Sequence, residues 1–193
     1  DQDTNTTRLR HVLVTLATGS TGVGLRYHAV SGHRSDVLSI YDVTIEGNWT
    51  MSTGFVWDGP AFTVTGSGLR LLHGQYGLQV LNTAGSSVDY PQFMNMHDLE
   101  AEGFTKRALD IESGSDIKIA SSDINNMTNS GHGTTDDYAI ACMQDAGGDH
   151  AQTRGIQIVN SRIGNSQRSG VYATCRNLQL TGNIFFSTSQ AGL

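Results

Sequence analysis

Short apolar-x-apolar steps recur along the whole chain, and their spacing is the tightest constraint on how it folds. One series comprises Val12/Val14, Val43/Ile45, Leu69/Leu71, Met94/Met96, Ile117/Ile119, Ile156/Ile158 and Leu178/Leu180. In a second, a small or turn-prone residue precedes the step: Gly24-Leu25-x-Tyr27, Gly54-Phe55-x-Trp57, Gly77-Leu78-x-Val80, Ala108-Leu109-x-Ile111, Ala139-Ile140-x-Cys142 and Gly170-Val171-x-Ala173. Ile117 follows Met94 by 23 residues and Leu178 follows Ile156 by 22, intervals that suit short strands stacked as the coils of a parallel β-helix. The 23 glycines against 2 prolines suit a chain that turns every few residues. An antiparallel sandwich or jelly roll would also yield many short strands, but its hairpins favour Asn-Gly or Asp-Gly turns. Asp58-Gly59 is the only such dipeptide, and it precedes Pro60.

The expected architecture is therefore all-β: one domain over residues 1–193 with about seven coils, roughly 34 Å long at about 4.8 Å per stacked strand. Loop excursions are expected near 46–54, 82–92, 125–135 and 144–154. A net charge of -6 without a Lys/Arg cluster argues against a nucleic-acid partner, and the lack of an 18-residue apolar run argues against membrane insertion. Neither terminus offers a segment suited to covering a strand edge, so the chain reads as part of a longer polypeptide or as one whose ends are covered by neighbouring chains. Cys142 and Cys175 fall on inward positions one coil apart, displaced by two residues, and are expected as buried free thiols rather than a disulfide. The seven histidines are scattered with no ligand spacing, so no zinc site is expected. The sequons at Asn5, Asn48 and Asn126 carry little weight in so polar a chain.

Alternation along a strand sends every second side chain away from the core. In the second series this gives one outward column of Arg26, Val56, Gln79, Asp110, Ala141 and Tyr172, and a next column of His28, Asp58, Leu81, Glu112, Met143 and Thr174. Asp110 and Glu112 then share a face, roughly 6.6–7 Å apart along the strand. Asp136 and Asp137 immediately precede the next equivalent strand, with Arg107 and Arg168 in similar positions.

Paired carboxylates are what glycoside hydrolysis needs, one protonated to assist the leaving oxygen and one ionised to activate water or attack the sugar. Asp110, Glu112, Asp136 and Asp137 are the candidate catalytic residues, and a separation of about 6.5–9.5 Å would fit inversion. Acidic side chains on an open sheet face also serve simply as solvating groups that discourage edge pairing. Lyase chemistry would instead require calcium, with Asp136, Asp137 and Asp110 as ligands and Arg107, Lys106 or Arg168 as base; otherwise no cofactor is expected. Binding without catalysis is the remaining use, because aromatic faces stack on sugars while polar side chains bond their hydroxyls. Arg107, Arg168, Tyr138, Tyr172, Asp58 and Gln79 are the candidate substrate-binding residues, with Trp49, Tyr76 and Tyr90 as further aromatics and Trp57 assigned to the core.

This succession of coils resembles the right-handed, single-stranded parallel β-helix of the pectate-lyase-like superfamily. Thr135-Asp136-Asp137-Tyr138-Ala139-Ile140 is similar to the Asp-Asp segment of polygalacturonases. Their other motifs are not matched: Arg107 stands where the acid of the first would be, Arg168-Ser169-Gly170-Val171 lacks a histidine, and Gly131-His132-Gly133 precedes the Asp-Asp. The polar, Gly/Ser/Thr/Asn-rich coils look most like bacteriophage tailspikes. That resemblance implies a homotrimer located in a virion tail or outside the cell, which binds a bacterial surface polysaccharide and hydrolyses it. A non-catalytic adhesin or structural β-helix is the alternative, and a polysaccharide lyase or epimerase the third.

Overall fold

The computed structural model describes residues 6–28, 37–59, 62–83, 90–126, 138–144, 153–164, 166 and 169–186. Its strands are β1 (Thr6–Thr15), β2 (Val23–His28), β3 (Val37–Glu46), β4 (Thr53–Asp58), β5 (Thr63–Leu81), β6 (Gln92–His97), β7 (Glu100–Ile111) and β8 (Ser115–Ala120). They continue with β9 (Asp123–Asn126), β10 (Tyr138–Cys142), β11 (Arg154–Val159), β12 (Arg162–Gly164), β13 (Val171–Ala173), β14 (Arg176–Thr181) and β15 (Ile184–Phe186). Among the described residues there is no helix, and the strand pairs are parallel. All 15 strands belong to one curled sheet.

Pairing runs in three ladders. Ladder A stacks the first halves of β1 and β3 on the start of β5, then β6, β8, β11 and β14. Ladder B stacks the second halves of β1 and β3 on the middle of β5, then β7, β9, β12 and β15. Ladder C runs through β2, β4, the end of β5, the end of β7, β10 and β13. Inward residues of all three, such as Ile40 from A, Ile45 from B and Trp57 from C, join one buried cluster, so the sheet curls around a common core. Trp57 is fully buried, as its inward position required.

The first apolar series is thus split between two ladders. Val12/Val14, Val43/Ile45 and Leu69/Leu71 stack in ladder B, whereas Met94/Met96, Ile117/Ile119, Ile156/Ile158 and Leu178/Leu180 stack in ladder A. Both strands carry the same step and nearly touch in sequence, because one residue turns the chain from A to B. That residue has positive φ at successive levels: His11, Asp42, Gly68, Asp98, Ser121, Asn160 and Gly182, with φ between 50° and 68°. Glycine, Asn, Asp and His tolerate the left-handed region best, which explains the composition of this column.

Farther along ladder B the inward apolar residue gives way to a polar one, and a side-chain ladder replaces it. The Ser122 hydroxyl accepts from the Leu99 amide at 3.1 Å, Ser161 accepts from the Ser122 amide at 3.1 Å, and Asn183 Oδ1 accepts from the Ser161 amide at 2.9 Å. Each also donates to a carbonyl: Ser122 to Ala120 (2.8 Å), Ser161 to Val159 (2.9 Å) and Asn183 to Ile158 (2.7 Å). Ser122 and Ser161 are buried with both donor and acceptor used, which is what allows polar groups in this position.

The cysteines differ from expectation. Cys142 and Cys175 form a disulfide, with a Cα–Cα distance of 5.5 Å across a sequence separation of 33. The two-residue displacement along the strands is absorbed where β13 ends at Ala173 and the chain turns, so that the Thr174 and Cys175 amides both reach the Cys142 carbonyl (2.8 and 3.2 Å).

Two consequences are measurable by urea unfolding. Replacing Ser161 by Ala leaves the Ser122 amide without its acceptor and should cost about 1–3 kcal/mol; no loss would show that the ladder contributes nothing net. Cys175→Ala removes the cross-link and should cost about 3–4 kcal/mol on chain-entropy grounds for a loop of this length, and reduction of the wild-type protein should reproduce the effect.

Candidate functional site

The outer side of ladder C has the register expected of it. Arg26 pairs with Val56, Val56 with Gln79, Gln79 with Asp110, Asp110 with Ala141, and Ala141 with Tyr172. The exposure, however, is not that of an open face. Asp58 and Asp110 are both fully buried, as is Ala141, and Val56 is nearly so. On a parallel ladder, neighbouring levels are only about 4.8 Å apart, so a long side chain on one level reaches the shorter acid on the next.

Asp58 is closed over in this way. It is bonded by the Arg26 guanidinium, by the Thr83 backbone amide (2.9 Å) and by the Thr83 hydroxyl (2.9 and 2.7 Å to its two oxygens), with His28 Nδ1 at 3.4 Å. Burial pushes the Asp58 carboxyl up, but the bonds from the Thr83 amide, Arg26 and the Thr83 hydroxyl together outweigh it and hold the group below the ordinary value of 3.8.

Two levels on, Asp110 is held from two sides. Arg107 Nη1 donates to Oδ1 at 2.5 Å, and Gln79 Nε2 donates to Oδ2 at 2.9 Å. Gln79 Oε1 in turn accepts from the Thr53 hydroxyl at 2.5 Å, so Thr53, Gln79, Asp110 and Arg107 form a continuous chain across three levels. Arg107 is nearly buried and also stands 3.9 Å from Glu112, whose side chain is 45% exposed. Of the carboxylates expected to act on substrate, Asp110 is therefore enclosed in an ion pair, whereas Glu112 opens to solvent. Asp136, Asp137 and Arg168 lie outside the described residues.

The aromatics gather around the entry to the same ladder. Tyr138 and Tyr172 stack with ring centroids 5.0 Å apart and planes at 27°, and Tyr172 is 41% exposed. The Lys106 ammonium lies 5.0 Å above the Tyr76 ring, a cation–π contact that places this candidate base against an aromatic face. Asn126 Nδ2 donates to the carbonyls of both Lys106 and Tyr138 at 2.7 Å, tying the two aromatic groups together. Among the other aromatics, Tyr90 is buried, and Trp49 is half-exposed and tilted against His73 at 4.5 Å. Asn126 matched only a glycosylation sequon in the sequence, and its bridging role had no local signal because both partners are carbonyls contributed by other strands.

Compared with protein-family models, with curated proteins and with solved structures, the chain matches none. Among the described residues, no group of three or more His, Cys, Asp or Glu side chains could hold a metal ion.

The Asp58 network makes a pH-dependent prediction. Because its folded-state pKa is depressed, ionised Asp58 stabilises the fold above the ordinary carboxylate value of 3.8, and that contribution is lost as pH falls through the folded pKa. Asp58→Asn should therefore cost about 1–3 kcal/mol at pH 7, and the gap from wild type should narrow below pH 3.8. A gap independent of pH in denaturant melts would remove the charge from this account.

Proposed function

We propose that the three ladders are the sheets of a right-handed parallel β-helix of about seven coils, of the kind used by phage tailspikes, and that its ladder C wall binds a bacterial surface polysaccharide. Right-handedness follows the strong preference of parallel crossover connections. The observation that carries the binding role is the Tyr138–Tyr172 stack, half-buried at Tyr138 and exposed at Tyr172, which stands beside Lys106–Tyr76 and the Arg107–Glu112 pair on one wall. Flat rings offer a surface to the CH faces of sugars, and the neighbouring charged groups bond hydroxyls. A disulfide suits an oxidising environment, in keeping with a virion tail or another extracellular location. A homotrimer is the assembly this reading implies.

Binding without cleavage is favoured over hydrolysis because Asp110, the central expected acid, has no exposed surface and two partners. A general acid must reach the leaving oxygen. Hydrolysis on this wall would fall to Glu112 together with Asp136 or Asp137, and Glu112 has the exposure it requires.

Affinity electrophoresis against a panel of capsular and O-antigen polysaccharides tests the proposal. The Tyr138→Ala/Tyr172→Ala variant should bind at least roughly tenfold more weakly than wild type, a loss of about 1.4 kcal/mol, and equal binding would refute the assignment of this wall. Mass spectrometry of the same mixtures decides the chemistry. Oligosaccharides that have gained water and disappear with Glu112→Gln would establish hydrolysis, whereas intact polymer despite binding is the expected result.

A further inference from the structure

On ladder C the polar side chains bond one another; on the outer face of ladder A, one group of described polar residues does not. Tyr41, Ser67 and His97 occupy one column on consecutive levels. Between them lies an open groove of about 480 Å³, within the roughly 300–1,000 Å³ span of small-ligand sites. Two steps of about 4.8 Å set the Tyr41 and His97 backbones roughly 9.6 Å apart. A saturated ring held between two flat side chains at van der Waals distance needs about 7–8 Å. The gap stays open because Ser67 is small and the corner beside it is Gly68, whose φ of +68° also disfavours a larger residue.

The walls are already oriented. The Tyr41 ring is 39% exposed, and the Arg10 guanidinium sits 5.2 Å from its centroid. Arg10 comes from the level on the opposite side of Tyr41 from Ser67, so it steadies the ring while the other side borders the groove. Thr65 and Asn95 pair in the adjacent column, and Asp98 stands at the next corner. Among the described residues, the side chains of Thr65, Ser67, Asn95, His97 and Asp98 have no hydrogen-bond partner, unlike the saturated groups of ladder C.

We propose that this groove is a binding subsite for a single neutral pyranose unit of a glycan. Its CH face packs on Tyr41 with His97 opposite, while adjacent hydroxyls bond Asn95 and the Asp98 carboxylate. The choice of ligand follows from the lining. Among the described residues, no Lys or Arg borders the groove and one carboxylate does, which disfavours uronates, phosphates and nucleotides and favours an uncharged polyol. The subsite is on a different ladder from Tyr138 and Tyr172, so it stands whether or not the ladder C wall binds polysaccharide.

Saturation-transfer NMR on the full chain tests it, with maltotriose, cellotriose and isomaltotriose as neutral probes and trigalacturonate as the charged comparison, each at millimolar concentration. At least one neutral trisaccharide should receive saturation, with transfer to trigalacturonate markedly weaker. In a Tyr138→Ala/Tyr172→Ala background, which removes any ladder C contribution, Tyr41→Ala and Asp98→Ala should each reduce transfer about fivefold or more, and Tyr41→Phe should retain it. Circular dichroism melts matching wild type establish that these exposed-site variants fold. Absence of transfer from every neutral probe, transfer insensitive to Tyr41→Ala, or loss only with the Tyr138/Tyr172 variant would each overturn the subsite. The last of these would leave the ladder C reading standing, which separates the two failures.

Discussion

Stacking of like on like in parallel register is the constraint on which the rest of this protein depends. Each strand bonds the strand above and the strand below, so an inward position on one level meets the equivalent position on the next: Phe55 on Leu78, Leu78 on Leu109, Leu109 on Ile140. The core is therefore a set of columns, and a residue is chosen by the column it joins. Partial burial follows the same rule. The core-packed apolar residues that remain partly open, including Leu9, Val12, Leu178 and Phe185, lie in the outermost described levels, where only one side of the column is covered.

Columns also organise the polar chemistry. The left-handed corner residues between ladders A and B stack from His11 to Gly182, so one backbone solution is repeated with different side chains. The Ser122, Ser161 and Asn183 ladder puts hydrogen bonds where earlier levels use Val and Leu. The same geometry brings Arg26 to Asp58 and Gln79 to Asp110, turning acids on an outward face into buried, charge-assisted bonds. An outward position in a parallel stack is thus not a solvent position, and the outward groups that keep exposed surface include the Glu112 side chain, Tyr172 and Tyr41.

Much of the fold was legible beforehand for a simple reason. Period-two alternation and a repeat near 22 residues are local properties of the chain, and the second apolar series maps onto ladder C residue for residue. The merger of ladders A and B was not legible, because both carry the same apolar-x-apolar step and because Ser122, Ser161 and Asn183 occupy inward slots that a search for apolar residues passes over. Of the candidate site, the columns were legible and the exposure was not. Nothing local to Asp110 reveals that Gln79, 31 positions earlier, will donate to it.

The sequence by itself determined the all-β class, the parallel stacking and the inward residues such as Trp57, since these depend on short-range periodicity and on the few side chains that tolerate each backbone conformation. Tertiary structure decided what required residues tens of positions apart to meet: the Cys142–Cys175 disulfide, the closing of Asp58 by Arg26 and of Asp110 by Gln79, and the open groove between Tyr41 and His97. Those outcomes depend on which side chains neighbouring levels bring within about 5 Å of one another, and that is settled by how the levels stack in space.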